Sequence, residues 1–344
     1  MPELREVFQM TTKQIEPDVD AWREQEKHQR RSSRNRKFGA FAVAAAIGLV
    51  AAILIVTNRP GTNTTVPGVS PSPAELPEVS TSSLVDLRTG EVTSLPATIQ
   101  QAGGTYSTSP DGTMFAYASC CSPPNPVFVA NVDGTGIRPL TPEGVDGFGP
   151  RWSSDGSTVV YQRRDAATLE LGNLVVVDVN SGETTQITDL DPERSHGWWF
   201  MAASFSSDGQ TIIFHMPRGR KGADTRWDVW SVPVTGGTPT LVVPNAGMGV
   251  YSPDGAQLAY LDSPRGIWSS SRLMVADTDG DDPRVLVQGD KIDFPRWSPD
   301  GARIAYTDGG RDYVVDVATG QTSLVAEGAQ ADWFDEDTLV VVPE

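Results

Sequence analysis

Apolar and polar positions fall into four successive patterns along this 344-residue chain. In residues 1–37, Leu4, Val7, Phe8 and Ile15 stand at near-helical spacing, and after Pro17 the run Asp18 to Lys37 reads as a charged helix anchored by Trp22. From Phe38 to Val56 no side chain is charged or strongly polar, and 19 residues at about 1.5 Å each suffice to cross a hydrocarbon core. Residues 58–81 are rich in Pro, Ser and Thr without apolar periodicity, which reads as an extended spacer. From residue 82 the pattern turns to short β-rich runs such as Thr158-Val-Val-Tyr161 and Ile304-Ala-Tyr306, bounded by Gly-containing turns.

These runs belong to a repeat. Its first half is an aromatic residue (Thr in the first copy), Ser, and an Asp-Gly turn: Thr108-Ser-Pro-Asp-Gly112, Trp152-Ser-Ser-Asp-Gly156, Phe205-Ser-Ser-Asp-Gly209, Tyr251-Ser-Pro-Asp-Gly255, Trp297-Ser-Pro-Asp-Gly301 and a degraded Trp333-Phe-Asp-Glu-Asp337. From Asp111 the intervals are 44, 53, 46, 46 and, to Glu336, 36 residues, the length of a four-stranded propeller blade with variable loops. The second half is a hairpin with a Gly turn, as in Leu174-Val-Val-Val-Asp-Val-Asn-Ser-Gly182 and Tyr313-Val-Val-Asp-Val-Ala-Thr-Gly320. A sixth hairpin, Leu84 to Leu95, comes before the first Asp-Gly turn, so the halves are offset at the two ends. The pattern predicts an all-β, six-bladed propeller in which the N-terminal hairpin pairs with the C-terminal strands and leaves no free edge between the chain ends.

Aromatic-Ser-Pro-Asp-Gly, an apolar strand, and a hairpin with Asp or Asn before its Gly turn resemble the WD-type repeats of TolB-like six-bladed propellers, over residues 82–344. The resemblance implies the fold and a bacterial origin. It says little about function, because related propellers serve as binding platforms and as non-catalytic domains of peptidases.

The predicted organisation is a cytoplasmic helical segment (1–37), a transmembrane helix (38–57), a linker (58–81) and an extracytoplasmic propeller (82–344). Arg30, Arg31, Arg34, Arg36 and Lys37 flank the apolar run on its N-terminal side, which the positive-inside rule keeps in the cytoplasm. A cleaved signal peptide is the competing reading, but 37 residues precede the run. Residues 1–37 carry nine Lys/Arg and seven Asp/Glu, leaving 18 Lys/Arg and 37 Asp/Glu beyond them. A domain that acidic is not a general nucleic-acid binder. Ala40, Ala44, Gly48 and Ala52 form a small-residue stripe that predicts at most a weak homodimer. Residues 1–37 serve either as an anchor or as a partner-binding helix, an order similar to membrane-bound anti-sigma factors, although no Cys before Cys120 could build their zinc motif.

Catalytic signatures are missing: no His-Glu-x-x-His, Gly-x-Ser-x-Gly, phosphate loop or Cys-x-x-Cys occurs, so the expectation is a non-enzyme without cofactor or metal. Asp277-Thr-Asp-Gly-Asp-Asp282 has calcium-loop spacing but stands where the other repeats place a hairpin turn. Adjacent Cys120 and Cys121 leave three readings open: two thiols, a vicinal disulfide, or pairing between molecules.

In a blade, the first-to-second and third-to-fourth strand turns lie on one face, and the remaining connections lie on the other. The first set is short Asp-Gly and Gly turns; the second is long and irregular in the middle of the chain, where loop-borne function belongs. Candidate ligand-binding residues there are Arg163, Arg164, His196, Trp198, Trp199, Arg218, Arg220, Lys221, Arg226, Trp227, Arg265 and Trp268. Arg and Trp dominate binding hot spots, and a cationic surface on an acidic body selects anionic groups. The competing reading is that the Trp residues fill gaps between blades and the Arg residues pair with nearby acids. The expected function is a non-catalytic binding or scaffolding module for an envelope protein or anionic glycan; the alternatives are a transmembrane signal transducer and an enzyme with a loop-borne site. Trp152, Phe205, Tyr251, Trp297 and Trp333 recur in register and are expected in the shared core.

Overall fold

The computed structural model describes residues 79, 81–100, 106–118, 125–164, 171–190, 203–217, 226–262, 272–327 and 330–342, with the backbone alone at 164 and 171. Among them, alternating apolar runs form six antiparallel four-stranded sheets. Blade 1 comprises β3 (Tyr106–Thr108), β4 (Met114–Ala118), β5 (Val127–Asn131) and β6 (Arg138–Pro139); blade 2, β7 (Asp146–Trp152), β8 (Thr158–Arg164), β9 (Leu171–Asp178) and β10 (Thr184–Gln186). Blade 3 comprises β11 (Ser204–Phe205), β12 (Thr211–Pro217), β13 (Trp227–Pro233) and β14 (Thr240–Val243); blade 4, β15 (Ala246–Tyr251), β16 (Gln257–Asp262), β17 (Arg272–Asp277) and β18 (Arg284–Gln288). Blade 5 comprises β19 (Ile292–Trp297), β20 (Arg303–Asp308), β21 (Arg311–Asp316) and β22 (Thr322–Glu327).

Blade 6 joins both ends of the propeller. Strands β23 (Gln330–Trp333) and β24 (Thr338–Val342) are completed by β1 (Ser83–Asp86) and β2 (Val92–Ser94), with Leu84 opposite Val340 and Val85 opposite Leu339. The predicted closure is therefore the observed one, and the β1–β24 ladder hides two strand edges that would otherwise be open. A one-turn helix, α1 (Ala97–Gln100), which the β pattern does not predict, follows β2 and buries Ile99.

Each Asp-Gly turn is held by its own side chains. In blade 2 the Ser153 hydroxyl donates to Asp155 at 2.6 Å, the Ser157 N–H donates to the same carboxylate at 3.0 Å, and Gly156 takes φ of 70°. Ser109–Asp111, Ser206–Asp208, Ser252–Asp254 and Ser298–Asp300 repeat the first bond at 2.5–2.6 Å. The Ser hydroxyl, then the backbone N–H two residues on, hold the carboxyls of Asp111, Asp155, Asp208 and Asp254 below the ordinary range. Asp277–Asp282 likewise forms a hairpin turn between β17 and β18, with the Gly280 N–H donating to the Asp277 carbonyl at 2.8 Å.

Candidate functional site

The first strands of the six blades (β3, β7, β11, β15, β19 and β23) pack one against the next and close a ring around the axis. On three of them the repeated aromatic is a Trp that reaches the neighbouring blade. The Trp152 indole N–H donates to the Ser107 carbonyl of blade 1, Trp297 to Val250 of blade 4, and Trp333 to Arg296 of blade 5, at 2.9, 3.1 and 2.9 Å. These aromatics are structural clamps, as their recurrence implies.

Alternation puts the residue before each aromatic on the opposite side of its strand. That position holds Arg151 in β7, Ser204 in β11, Val250 in β15, Arg296 in β19 and Asp332 in β23. A bulge precedes it in three strands: the pairing slips between Phe148 and Arg151, between Gly247 and Val250, and between Asp293 and Arg296. The extra residue in each, Gly149, Met248 or Phe294, adopts φ of 57°, 51° or 54°. Met248 and Phe294 are not glycines, so each holds a left-handed backbone at a cost of about 1–3 kcal/mol, a kind of strain that collects around binding sites.

Arg151 and Arg296 belong to opposite blades, 2 and 5, yet each guanidinium lies beside Asp332 of blade 6. Arg151 Nη1 is 3.4 Å and Arg296 Nε 3.7 Å from Asp332 Oδ2. Groups from opposite blades meet only on the axis. Arg151 is 9% and Arg296 8% exposed, so two cations and one carboxylate share a nearly dry space. Burial, then the neighbouring Arg151, pulls the Arg296 guanidinium below its ordinary value, and Asp332 opposes them. Arg151 Nη1 also donates to the carbonyls of Tyr106 and Pro150, and Arg296 Nη1 to that of Pro295. Arg296 Nε has no hydrogen-bond partner among the described residues.

His215 of β12 completes the cluster. It is fully buried; burial first and the Arg296 charge second depress its imidazole to about 3, so it is neutral at physiological pH. Its Nδ1 accepts the Met248 N–H at 3.2 Å, which places the ring proton on Nε2, and Nε2 has no partner among the described residues. Two desolvated N–H donors beside a net positive charge have the chemistry to meet a hydrogen-bond acceptor carrying negative charge.

A second polar row crosses blade 5, where Asp293 of β19 lies opposite Thr307 of β20 and Thr307 opposite Asp312 of β21. The Thr307 hydroxyl donates to Asp312 Oδ1 at 2.7 Å, and Lys291 Nζ stands 3.9 Å from Asp293. Burial raises both carboxyls to about 6.

Of the residues expected to bind ligand, Arg163 is exposed one residue before the end of β8, opposite Gly147, and Arg226 is exposed just before β13. Arg164 pairs through its backbone with Asp146 and Leu171. Trp227 is 4% exposed with its ring 5.1 Å from that of His215, so its bulk is committed to packing behind the axial cluster. The neighbouring Arg272 pairs with Asp262. His196, Trp198, Trp199, Arg218, Arg220, Lys221, Arg265 and Trp268 lie outside the described residues, as do Cys120 and Cys121 and the segments 1–37 and 38–57. Among the described residues no helix is long and apolar enough to cross a membrane. Sequence reasoning passed over Arg151, Arg296, Asp332 and His215. The first three had a signal: a charged residue stands immediately before a repeated Trp, twice as Pro-Arg-Trp.

No protein-family model matches the chain, and no curated protein does. Among solved structures, a protein described as TolB from Agrobacterium tumefaciens is 16% identical with a TM-score of 0.58, over 77% of this chain and 99% of its own. TolB from Acinetobacter baumannii is 18% identical with a TM-score of 0.54, over 77% and 66%. An oligogalacturonate lyase in complex with manganese is 18% identical with a TM-score of 0.50, over 71% and 72%. At such identities the likeness is one of fold. The chain is a six-bladed β-propeller with TolB among its structural neighbours.

Proposed function

We propose that the chain is a membrane-anchored binding module whose propeller stands outside the cell and engages an envelope protein or an anionic glycan, without catalysis, on the face opposite the Asp-Gly turns. The observation that carries this reading is the difference between the two faces. On one, five turns are closed by their own Ser and Asp side chains at 2.5–2.6 Å, leaving little of the turn free to vary. On the other, the connections of blades 2 to 4 are longer, and Arg163 and Arg226 stand exposed beside them. Loops on a rigid scaffold are where binding residues concentrate.

The test is retention of a polyanionic glycan, polygalacturonate, by the full chain held in detergent. Arg163→Glu with Arg226→Glu lowers retention at least about tenfold, while Glu183→Arg on the Asp-Gly face does not, and rising salt weakens binding in proportion. Equal retention by the reversed chain sinks the proposal, and depolymerisation of the glycan would show an enzyme instead.

A further inference from the structure

We infer that the axis of the propeller binds a small monocarboxylate between Arg151 and Arg296. The inference is independent of the loop face, because it uses none of the same residues.

Three features of the cluster lead to this ligand class. The first is charge. Two guanidiniums and the Asp332 carboxylate sum to one positive charge in a space where Arg151, Arg296 and His215 are at most 9% exposed. His215 is held neutral and adds none. One negative charge balances the cluster; a dianion would leave an excess of the opposite sign, at a desolvation cost the site is not built to offset.

The second is hydrogen bonding. Among the described residues Arg296 Nε and His215 Nε2 are buried donors without partners, one on blade 5 and the other on blade 3. Asp332 does not serve Arg296 Nε: its Oδ2 is 3.7 Å away, while its Oδ1 accepts the Trp333 N–H at 2.9 Å. A carboxylate offers two coplanar oxygens, one for the edge of a guanidinium and one for a second donor, which a halide cannot do.

The third is access. The side chains of Arg151, Arg296 and Asp332 keep 11%, 10% and 17% of their surface exposed. Only a small part of the cluster is therefore open to solvent, and a small solute can reach the guanidiniums there. The left-handed backbones of Met248 and Phe294 help to fix the cluster's geometry, since the Met248 N–H holds the His215 ring and the Phe294 N–H meets Met248 Sδ at 3.3 Å.

The experiment follows the thermal unfolding midpoint of the full chain in detergent while sodium acetate replaces sodium chloride at constant ionic strength. The midpoint rises saturably with acetate and with formate, and not with sulfate. Arg296→Gln abolishes the response. Asp332→Asn, which removes the intrinsic carboxylate with little change of shape, tightens acetate at least about tenfold and admits sulfate. Should Arg296→Gln fail to fold, the Asp332→Asn arm decides alone, because its effect has the opposite sign. Absence of a saturable acetate response in both wild type and Asp332→Asn overturns the inference, as does an unchanged response in a folded Arg296→Gln chain or a wild-type preference for sulfate. The chain with Arg163→Glu and Arg226→Glu keeps its acetate response whether or not it has lost glycan binding, so the two proposals fail separately.

Discussion

The indole N–H of Trp333 donates to the backbone carbonyl of Arg296 at 2.9 Å, joining blade 6 to blade 5 at the residue whose guanidinium faces Asp332. The repeated aromatic of one blade thus holds the backbone of the residue that carries the axial charge of the blade before it. Arg303 stacks on the same indole, 5.2 Å from the ring centroid.

Replacing that indole tests the clamp. Trp333→Phe removes the donor and leaves the Arg296 carbonyl short of a partner, which costs about 1–2 kcal/mol. Trp152→Phe and Trp297→Phe cost similar amounts, because their indoles make the equivalent bond. Urea unfolding of the three chains measures this, and a loss confined to one of them would contradict a shared clamp.

Ring closure predicts unequal effects of proline in the N-terminal hairpin. Val85 of β1 lies between β2 and β24, whereas Val92 of β2 has a neighbour on one side only. Val85→Pro costs roughly 3 kcal/mol or more and Val92→Pro clearly less. Comparable unfolding midpoints for the two variants would mean that β1 does not hold the ring shut.

The buried acids of blade 5 set a pH dependence. Burial raises Asp312 from 3.8 to about 6 against the Thr307 hydroxyl, and raises Asp293 to about 6 against Lys291. Between about pH 4 and 6 the folded state therefore binds more protons than the unfolded state. The stability these groups contribute is fully present below about pH 4 and is lost as pH rises through 6. Asp312→Asn keeps an acceptor for Thr307 and gains roughly 1–3 kcal/mol over wild type at neutral pH, with no gain at pH 4. Unfolding free energies across this range decide the matter, and a gain independent of pH would rule out titration as its cause.

The Asp-Gly turns depend on backbone conformation rather than space. Gly156 sits at φ of 70°, and an added Cβ would meet nothing nearer than Pro110 Cδ at 3.7 Å. Gly156→Ala therefore costs about 1 kcal/mol through φ alone, and Gly156→Asn less, since Asn tolerates the left-handed region. Equal costs for the two would point to a steric origin instead.

What the residues determine by themselves is local and periodic. Two-residue alternation makes the strands, the Ser-x-Asp-Gly phrase closes a turn through bonds within five residues, and the half-unit offset at the ends announces how the ring closes. Each rests on neighbours in sequence, so the blade count and the pairing of the N-terminal hairpin with the C-terminal strands were legible there, while the register that sets Leu84 opposite Val340 was not. The axial cluster was not. Arg151 and Arg296 lie 145 positions apart and meet because six blades bring opposite first strands to one axis. Left-handed bulges at Gly149 and Phe294 precede both. Nor could alternation say that Trp227 packs beside His215 or that the imidazole loses its charge there, since both follow from how completely neighbouring blades exclude water. Hydrogen bonds between chain neighbours can be read from spacing, whereas desolvation and long-range charge exist only once the ring has closed.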